Sequence, residues 1–427
     1  MKNIILLLLI TGQIIMAAQI DSIKVKGISV PIIFEHDTRL PIANMQIVFT
    51  NSGSITDTKI AGLAKFSAKL LNEGTKTLGS NNFADKLESR AIHISANTGT
   101  ETFVLEASSL KEEFADTSKF LTKLLQDPNY SEEALTKVKT MTIGTLSAKE
   151  NDFDYVASNE LKKLLFPNTP LAQPALGTVE SVKSIQLEDV ENFIKHHLVI
   201  SRAIVVVGGD VDIATVKKNI AKILEKLPKG KSEPLPHFRA SDRPKESILK
   251  RDTKQAYIYF GSPYNMAVND ENYYKARVAT YILGAGGFGS RLMEEIRVKR
   301  GLAYSAYARV HISKSTSYMT GYLQTKLESM DEAKKTVAEV IKKFVKNGVT
   351  EEELDQTKKF LLGSEPLRVE TMSQRLQRTF MDYYKGFPLN HSELELEKIK
   401  KLKLKDLNDF IKKHTEILEQ SFAIVTK

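Results

Sequence analysis

Residues 187–197 read LEDVENFIKHH, and 217 residues later residues 404–414 read LKDLNDFIKKH. Leu187/Leu404, Asp189/Asp406, Phe193/Phe410, Ile194/Ile411, Lys195/Lys412 and His197/His414 are identical in register. A second pair, SEEAL at 131–135 and TEEEL at 350–354, recurs at an offset of 219. Two separate motifs at nearly one spacing require a duplicated domain rather than a solenoid of short repeats. Between the copies, LPKGKSEPLPHFRASDRPKE (227–246) has Pro, Gly and charge without periodicity, as an interdomain linker does. This places an N-terminal domain at 19–226 and a C-terminal domain at 247–427.

Each copy reads as α+β. In the first, β-rich runs at 30–35 and 45–50 precede helical patterns at 60–71 and 83–90. A hairpin follows at 91–96 and 100–107, turning at Asn97-Thr98-Gly99. Amphipathic helices then run over 110–125, 131–149, 155–165 and 187–197, before a strand at 203–207. The second copy repeats the order: strand 256–261, helices 273–283 and 292–299, strands 303–310 and 317–324, helices 330–345, 351–362, 371–384 and 404–413, and strand 421–425. Strands and long helices that do not strictly alternate predict, in each domain, a mostly antiparallel mixed sheet with helices mainly on one face.

The N-terminus has its own character. Lys2 is followed by a short apolar run from Ile4 to Ile10, a weaker one to Met16, and the small pair Ala17-Ala18. That is the pattern of a secretory signal peptide over residues 1–18, and the shortness of the run favours it over a retained anchor helix. Beyond it no stretch is long and apolar enough to span a bilayer. The expected location is the periplasm or otherwise outside the cytoplasm. The chain has no cysteine, which excludes disulfides, thiolate metal sites and a cysteine nucleophile. The net charge of +9 is spread as Lys among Glu and Asp. Its densest run, 398–405, suits a solvated helix face better than nucleic-acid binding. None of the eight histidines stands at helical metal spacing with another. His196 and His197, being adjacent, point apart.

Two segments carry chemical information. In AGLAKFSAKLLNEGT (61–75), Lys65 and Lys69 stand one helical turn apart on one face with Ala68 between them. The frame of this segment resembles the metal helix of the inverzincins, H-x-x-E-H. A protonated lysine has no lone pair for a metal, and Ala68 has no carboxylate to take a proton from bound water. The resemblance places a third ligand, normally Glu, near Gly144-Thr145, where no carboxylate stands. Ligands and base are absent together, so no metal is expected on this chain. The other segment, GGFGSRLMEEIRVKRGLAYSAYA (286–308), is a glycine-rich loop, a helix ended by Gly301, and a strand. It lacks the Lys-Ser/Thr of a phosphate-binding loop. Its helix–turn–strand arrangement can bring Arg297 and Tyr304 to one spot, two hydrogen-bond donors suited to a peptide carbonyl or oxyanion.

This second segment closely resembles the C-terminal-domain signature of the pitrilysin/insulinase zinc peptidases, which include the mitochondrial processing peptidases. The resemblance extends over nearly the whole mature chain. It implies that Arg297 and Tyr304 reach across a cleft to a zinc-bound substrate, with Gly286, Gly287 and the Asn97 region of an exposed sheet edge helping to hold the peptide. It further implies a split enzyme, in which a half-size partner bearing H-x-x-E-H holds the zinc and this chain, no metallopeptidase on its own, completes the site of a heterodimeric metalloendopeptidase. The alternative is a non-catalytic scaffold or peptide-binding homodimer of the same fold.

Overall fold

The computed structural model describes residues 18–427. The expected signal segment therefore lies outside the described residues except for Ala18. No helix among the described residues is long and apolar enough to cross a membrane.

Two sheets organise the chain. The first contains β1 (Gln19–Val25), β2 (Ile28–His36), β3 (Ile42–Thr50), β4 (His93–Thr98), β5 (Thr102–Leu110) and β6 (Ala203–Gly209), in the order β1-β2-β6-β3-β5-β4. The second contains β7 (Glu246–Lys250), β8 (Gln255–Pro263), β9 (Ala303–Ile312), β10 (Ser317–Lys326) and β11 (Ser421–Thr426), in the order β7-β11-β8-β10-β9. Each sheet has one parallel pair, β2/β6 and β7/β11, and is otherwise antiparallel. The mixed, mostly antiparallel α+β duplication expected from the repeats is the fold. Apart from β1, the sheets match strand for strand, with β4 and β9 as equivalent edges.

The central strands AIVVVGG (β6) and SFAIVT (β11) are buried along their whole length. A strand buried at every position needs cover on both faces. On the first sheet, Val205 and Val207 join the core beneath helices Leu63–Leu71, Phe114–Gln126 and Ile213–Leu224. Ile204 and Val206 point the other way, against Leu376, Phe380 and Tyr384 of helix Met372–Lys385, which comes from the second half of the chain. The second sheet is its mirror. Phe422 and Ile424 face the large core of their own half. Ala423 faces Leu161, Leu165 and Phe166, contributed by helix Phe153–Leu165 and its C-cap from the first half. The two halves thus exchange a helix, a feature the repeats do not reveal.

The sequence makes room for the exchange. A Cβ on Gly208 of β6 would stand 2.5 Å from Leu376 Cδ1, and one on Gly261 of β8 would stand 2.9 Å from Leu165 Cδ1. Both guest helices are capped, by Thr371 with Gln374 in a capping box and by Asp152 accepting from Tyr155 N–H. Each cap contributes about 1 kcal/mol. Arg375 donates to Glu35 on β2 (Nε–Oε1 2.9 Å, Nη2–Oε1 2.5 Å), and its Nη2 stands 3.2 Å from Asp37. Glu35 is only 1% exposed, so this pair ties the guest helix to the sheet at a site where a lone charge would be costly.

Candidate functional site

Helix Leu63–Leu71 starts at Gly62, whose φ of +85° suits a residue without a Cβ. The buried carboxylate of Asp57 accepts from Gly62 N–H (3.1 Å) and Ala64 N–H (2.9 Å) and fixes the first turn. Burial pushes this carboxyl up to about 7, against the pull of the two N–H bonds. Ala64, Ala68 and Leu71 pack on the sheet, while Phe66 and Leu70 pack on helix Glu132–Lys149. Between these two apolar stripes lie Lys65 and Lys69, both half-buried.

The structure shows what became of the metal position. Lys65 Nζ donates to Asn97 Oδ1, and Lys69 Nζ donates to Thr142 Oγ1 at 3.0 Å. Burial pulls both ammonium groups below the usual lysine range, and Lys65 adds its repulsion at Lys69. The residue that meets this face from helix Glu132–Lys149 is Thr142. Gly144 and Thr145, where the third ligand was expected, are exposed, and Thr145 bonds back to Met141 O. Lys65, Ala68, Lys69 and Thr142 do not fit a zinc ion: two cationic donors, a methyl and a hydroxyl that already accepts a hydrogen bond offer no ligand set.

Asn97, expected in the hairpin turn, instead stands in edge strand β4, and the turn falls at residues 99–101. Its Oδ1 also accepts its neighbour's N–H, from Thr98 at 2.8 Å. One residue earlier, the Asn72 side chain accepts from Ala96 N–H (2.6 Å) and donates to Ala96 O (3.0 Å). The inner part of this edge is therefore occupied by the chain itself. Asn72 is three residues past Lys69, and an amide at that spacing is a signal the sequence reading passed over.

The second site lies in the other half. Helix Tyr273–Thr280 widens into a π-helical turn at Tyr281–Ala285, and a second π turn, Glu294–Val298, carries Arg297. The sequence pattern had promised plain α-helix over both. Such turns are rare and recur at functional sites. Gly284 lies so close to β9 that a Cβ would be 2.3 Å from Ala308 N, and Gly287 takes a φ of +62°. Arg291 anchors the following helix through a bidentate pair with Glu353, 2.6 Å on each arm. Gly301, at φ +61°, then turns the chain into β9.

Here Arg297 and Tyr304 do come together. The Arg297 guanidinium lies 4.2 Å from the Tyr304 ring centroid and 4.5 Å from that of Phe288, in the glycine-rich loop. Tyr304 is 81% exposed and Phe288 68%. Among the described residues Arg297 has no carboxylate partner, so its N–H groups are free. Phe288 was not singled out from the sequence. Gly286 and Gly287 line a neighbouring cavity of about 680 Å³. No hydrogen bond, ion pair or ring contact among the described residues joins the Lys65/Lys69/Asn97 group to the Arg297/Tyr304 group.

The comparisons with known proteins agree with this geometry. The family pattern described as "Insulinase (Peptidase family M16)" matches residues 32–179, and the pattern "Peptidase M16 inactive domain" matches residues 184–361. A protein of Helicobacter pylori named "Non-peptidase homolog YmxG" is 43% identical over 425 residues, covering 100% of this chain and 98% of that protein. An "Uncharacterized zinc protease YmxG" of Bacillus subtilis is 24% identical over 78% of this chain and 80% of its own length. Among solved structures, a peptidase M16 inactive domain from Pseudomonas fluorescens superposes with a TM-score of 0.86 at 21% identity, over 95% of this chain and 98% of that one. The periplasmic protease PqqL from Escherichia coli superposes at 0.75 with 12% identity, over 96% of this chain but 46% of PqqL.

A duplicated peptidase fold whose metal helix bears no ligand defines a non-peptidase homologue of a zinc peptidase. The chain belongs to peptidase family M16, the insulinase family.

Proposed function

We propose that this chain is the zinc-less subunit of a two-chain, exported zinc peptidase, and that it supplies Arg297 and Tyr304 to peptide bound at its partner's metal. The observation that carries this reading is the Arg297 guanidinium, held between two exposed aromatic rings with no carboxylate among the described residues to neutralise it. A purely structural arginine on a protein with 52 acidic residues would be expected to find one. The metal chemistry belongs to the partner, a half-size chain bearing H-x-x-E-H. This chain contributes two hydrogen-bond donors to the carbonyl oxygen of the scissile bond, where negative charge develops. Stacking on Phe288 and Tyr304 limits the guanidinium to few orientations before substrate arrives, which reduces the entropy lost on binding.

The test is a tagged pull-down from the envelope fraction of the source cell, with metal analysis of what elutes. A near-equimolar partner bearing H-x-x-E-H and one zinc per pair is the expected result. A zinc-free monomer or homodimer would remove the catalytic role and leave a scaffold.

A further inference from the structure

Beside the glycine-rich loop, and apart from the stacked Arg297, three arginines converge on the cavity of about 680 Å³. Arg277, on helix Tyr273–Thr280, is already neutralised: it pairs with the buried Glu395 and lies 3.9 Å from Glu365. Arg309, on edge strand β9, lies over the Tyr307 ring at 5.3 Å and has no carboxylate partner among the described residues. Arg368, in the short 3-10 turn Pro366–Arg368, has none either. The excess charge at this cavity is therefore positive and comes from Arg309 and Arg368. One wall is apolar. Tyr281 stacks on Phe360 at 4.9 Å and 28°, with Leu361 beside them. The Arg368 guanidinium opposes the upward push of burial on the Tyr281 phenol, which places that charge at the aromatic wall. The glycine loop closes another side. Gly286 is pressed against Tyr281, where a Cβ would stand 2.8 Å from the ring.

A cavity of this size with an apolar wall and two unpaired guanidinium groups selects for one chemistry. We infer that it is a binding subsite for a peptide carboxylate next to an apolar side chain. The carboxylate bridges Arg309 and Arg368, and the apolar group lies on Tyr281 and Phe360. Guanidinium groups hold carboxylates through paired N–H donors, and pockets of roughly 300–1,000 Å³ suit groups of this size. The carboxylate has two possible sources, the C-terminus of a short peptide or an Asp or Glu side chain within a longer one. This inference does not depend on a zinc-bearing partner, because all the groups belong to this chain.

The test uses the full chain without any partner. Fluorescence polarisation would compare three labelled hexapeptides: one ending in Leu with a free carboxylate, its C-terminal amide, and the amide with Glu beside the Leu. The free acid is expected to bind at least tenfold more tightly than the plain amide, with affinity falling as salt rises. Arg309→Gln and Arg368→Gln, both at exposed positions, should each weaken that binding at least fivefold. The double variant should bind the acid no better than the amide, while Lys400→Gln, which removes one positive charge elsewhere, should change nothing. If the Glu-bearing amide matches the free acid, the subsite accepts a carboxylate from either source; if it matches the plain amide, the carboxylate is the C-terminus. Either result supports the subsite. Equal binding of all three peptides, or wild-type binding by the double variant, would overturn it.

Discussion

The stretch between β3 and β4, which holds the metal helix, and the stretch between β8 and β9, which holds the glycine-rich loop, stand at equivalent places in a duplicated fold, and they have gone opposite ways. In the first, the groups at the old metal face have found partners within the chain: Lys65 has Asn97, Lys69 has Thr142, and Ala96 on the sheet edge has Asn72. In the second, Arg297 has, among the described residues, only the faces of two exposed rings. A site whose donors and acceptors satisfy one another has nothing left to offer a ligand. A site that holds a charged group in the open without neutralising it bears a standing cost in exposed aromatic surface, which makes sense only if something else completes it.

Four experiments would break or sharpen that contrast. The largest effect should come from rebuilding the first site. Lys65→His, Ala68→Glu, Lys69→His and Thr142→Glu together should take zinc content from none to about one ion per chain, because two His one helical turn apart and a facing Glu make a three-ligand site. A folded but zinc-free variant would show that the frame has drifted as well as the ligands. Next comes Arg297→Ala, which should lower turnover of the proposed complex about 10²- to 10³-fold, with Tyr304→Phe in the same direction. Co-elution from a sizing column should be unchanged, and wild-type turnover in both would end the catalytic reading.

A smaller effect concerns Asp57. Its carboxyl is raised in the folded chain from 3.8 to about 7, so the folded state holds a proton that the unfolded state releases. The stability this provides is complete below pH 3.8 and is lost as pH rises through about 7. Relative to Asp57→Asn, the wild type should lose roughly 2–3 kcal/mol between pH 5 and pH 8. Urea titrations at the two pH values would measure this, and parallel curves for the two proteins would refute it. The smallest effect belongs to Lys65→Met, expected to change stability by less than about 1 kcal/mol, since the lost hydrogen bond offsets the lost cost of half-burying an ammonium. A loss of several kcal/mol would mean that the lysine holds the first domain together.

How much of this was legible follows from range. The duplication, the α+β class and most helices rest on local pattern and were readable. So was the pairing of Arg297 with Tyr304, because a helix, a glycine stop and a strand fix their separation. Helix Ile213–Leu224 was missed although its signal is present, with Asp212 as cap and Val216, Ile220, Ile223 and Leu224 at helical spacing. Which residue of helix Glu132–Lys149 meets Lys69 was not legible, because sequence alone does not set the phase of one helix against a second. Phe288 was illegible for another reason: its ring meets Arg297 only because Gly287 turns the loop back. The unalternated runs AIVVV and SFAIV announce cover on both faces but do not name the helix that gives it.

The exchanged helix also sets a timetable. A chain appears N-terminus first, and the outer face of β6 is complete at Gly209, but the Phe380 that covers it comes 171 residues later. At ordinary rates of synthesis that is roughly ten to thirty seconds in which an apolar strand face stands bare. Neither half can mature before the other, so a truncated product ending in the linker would be a target for chaperones and proteases rather than an independent domain.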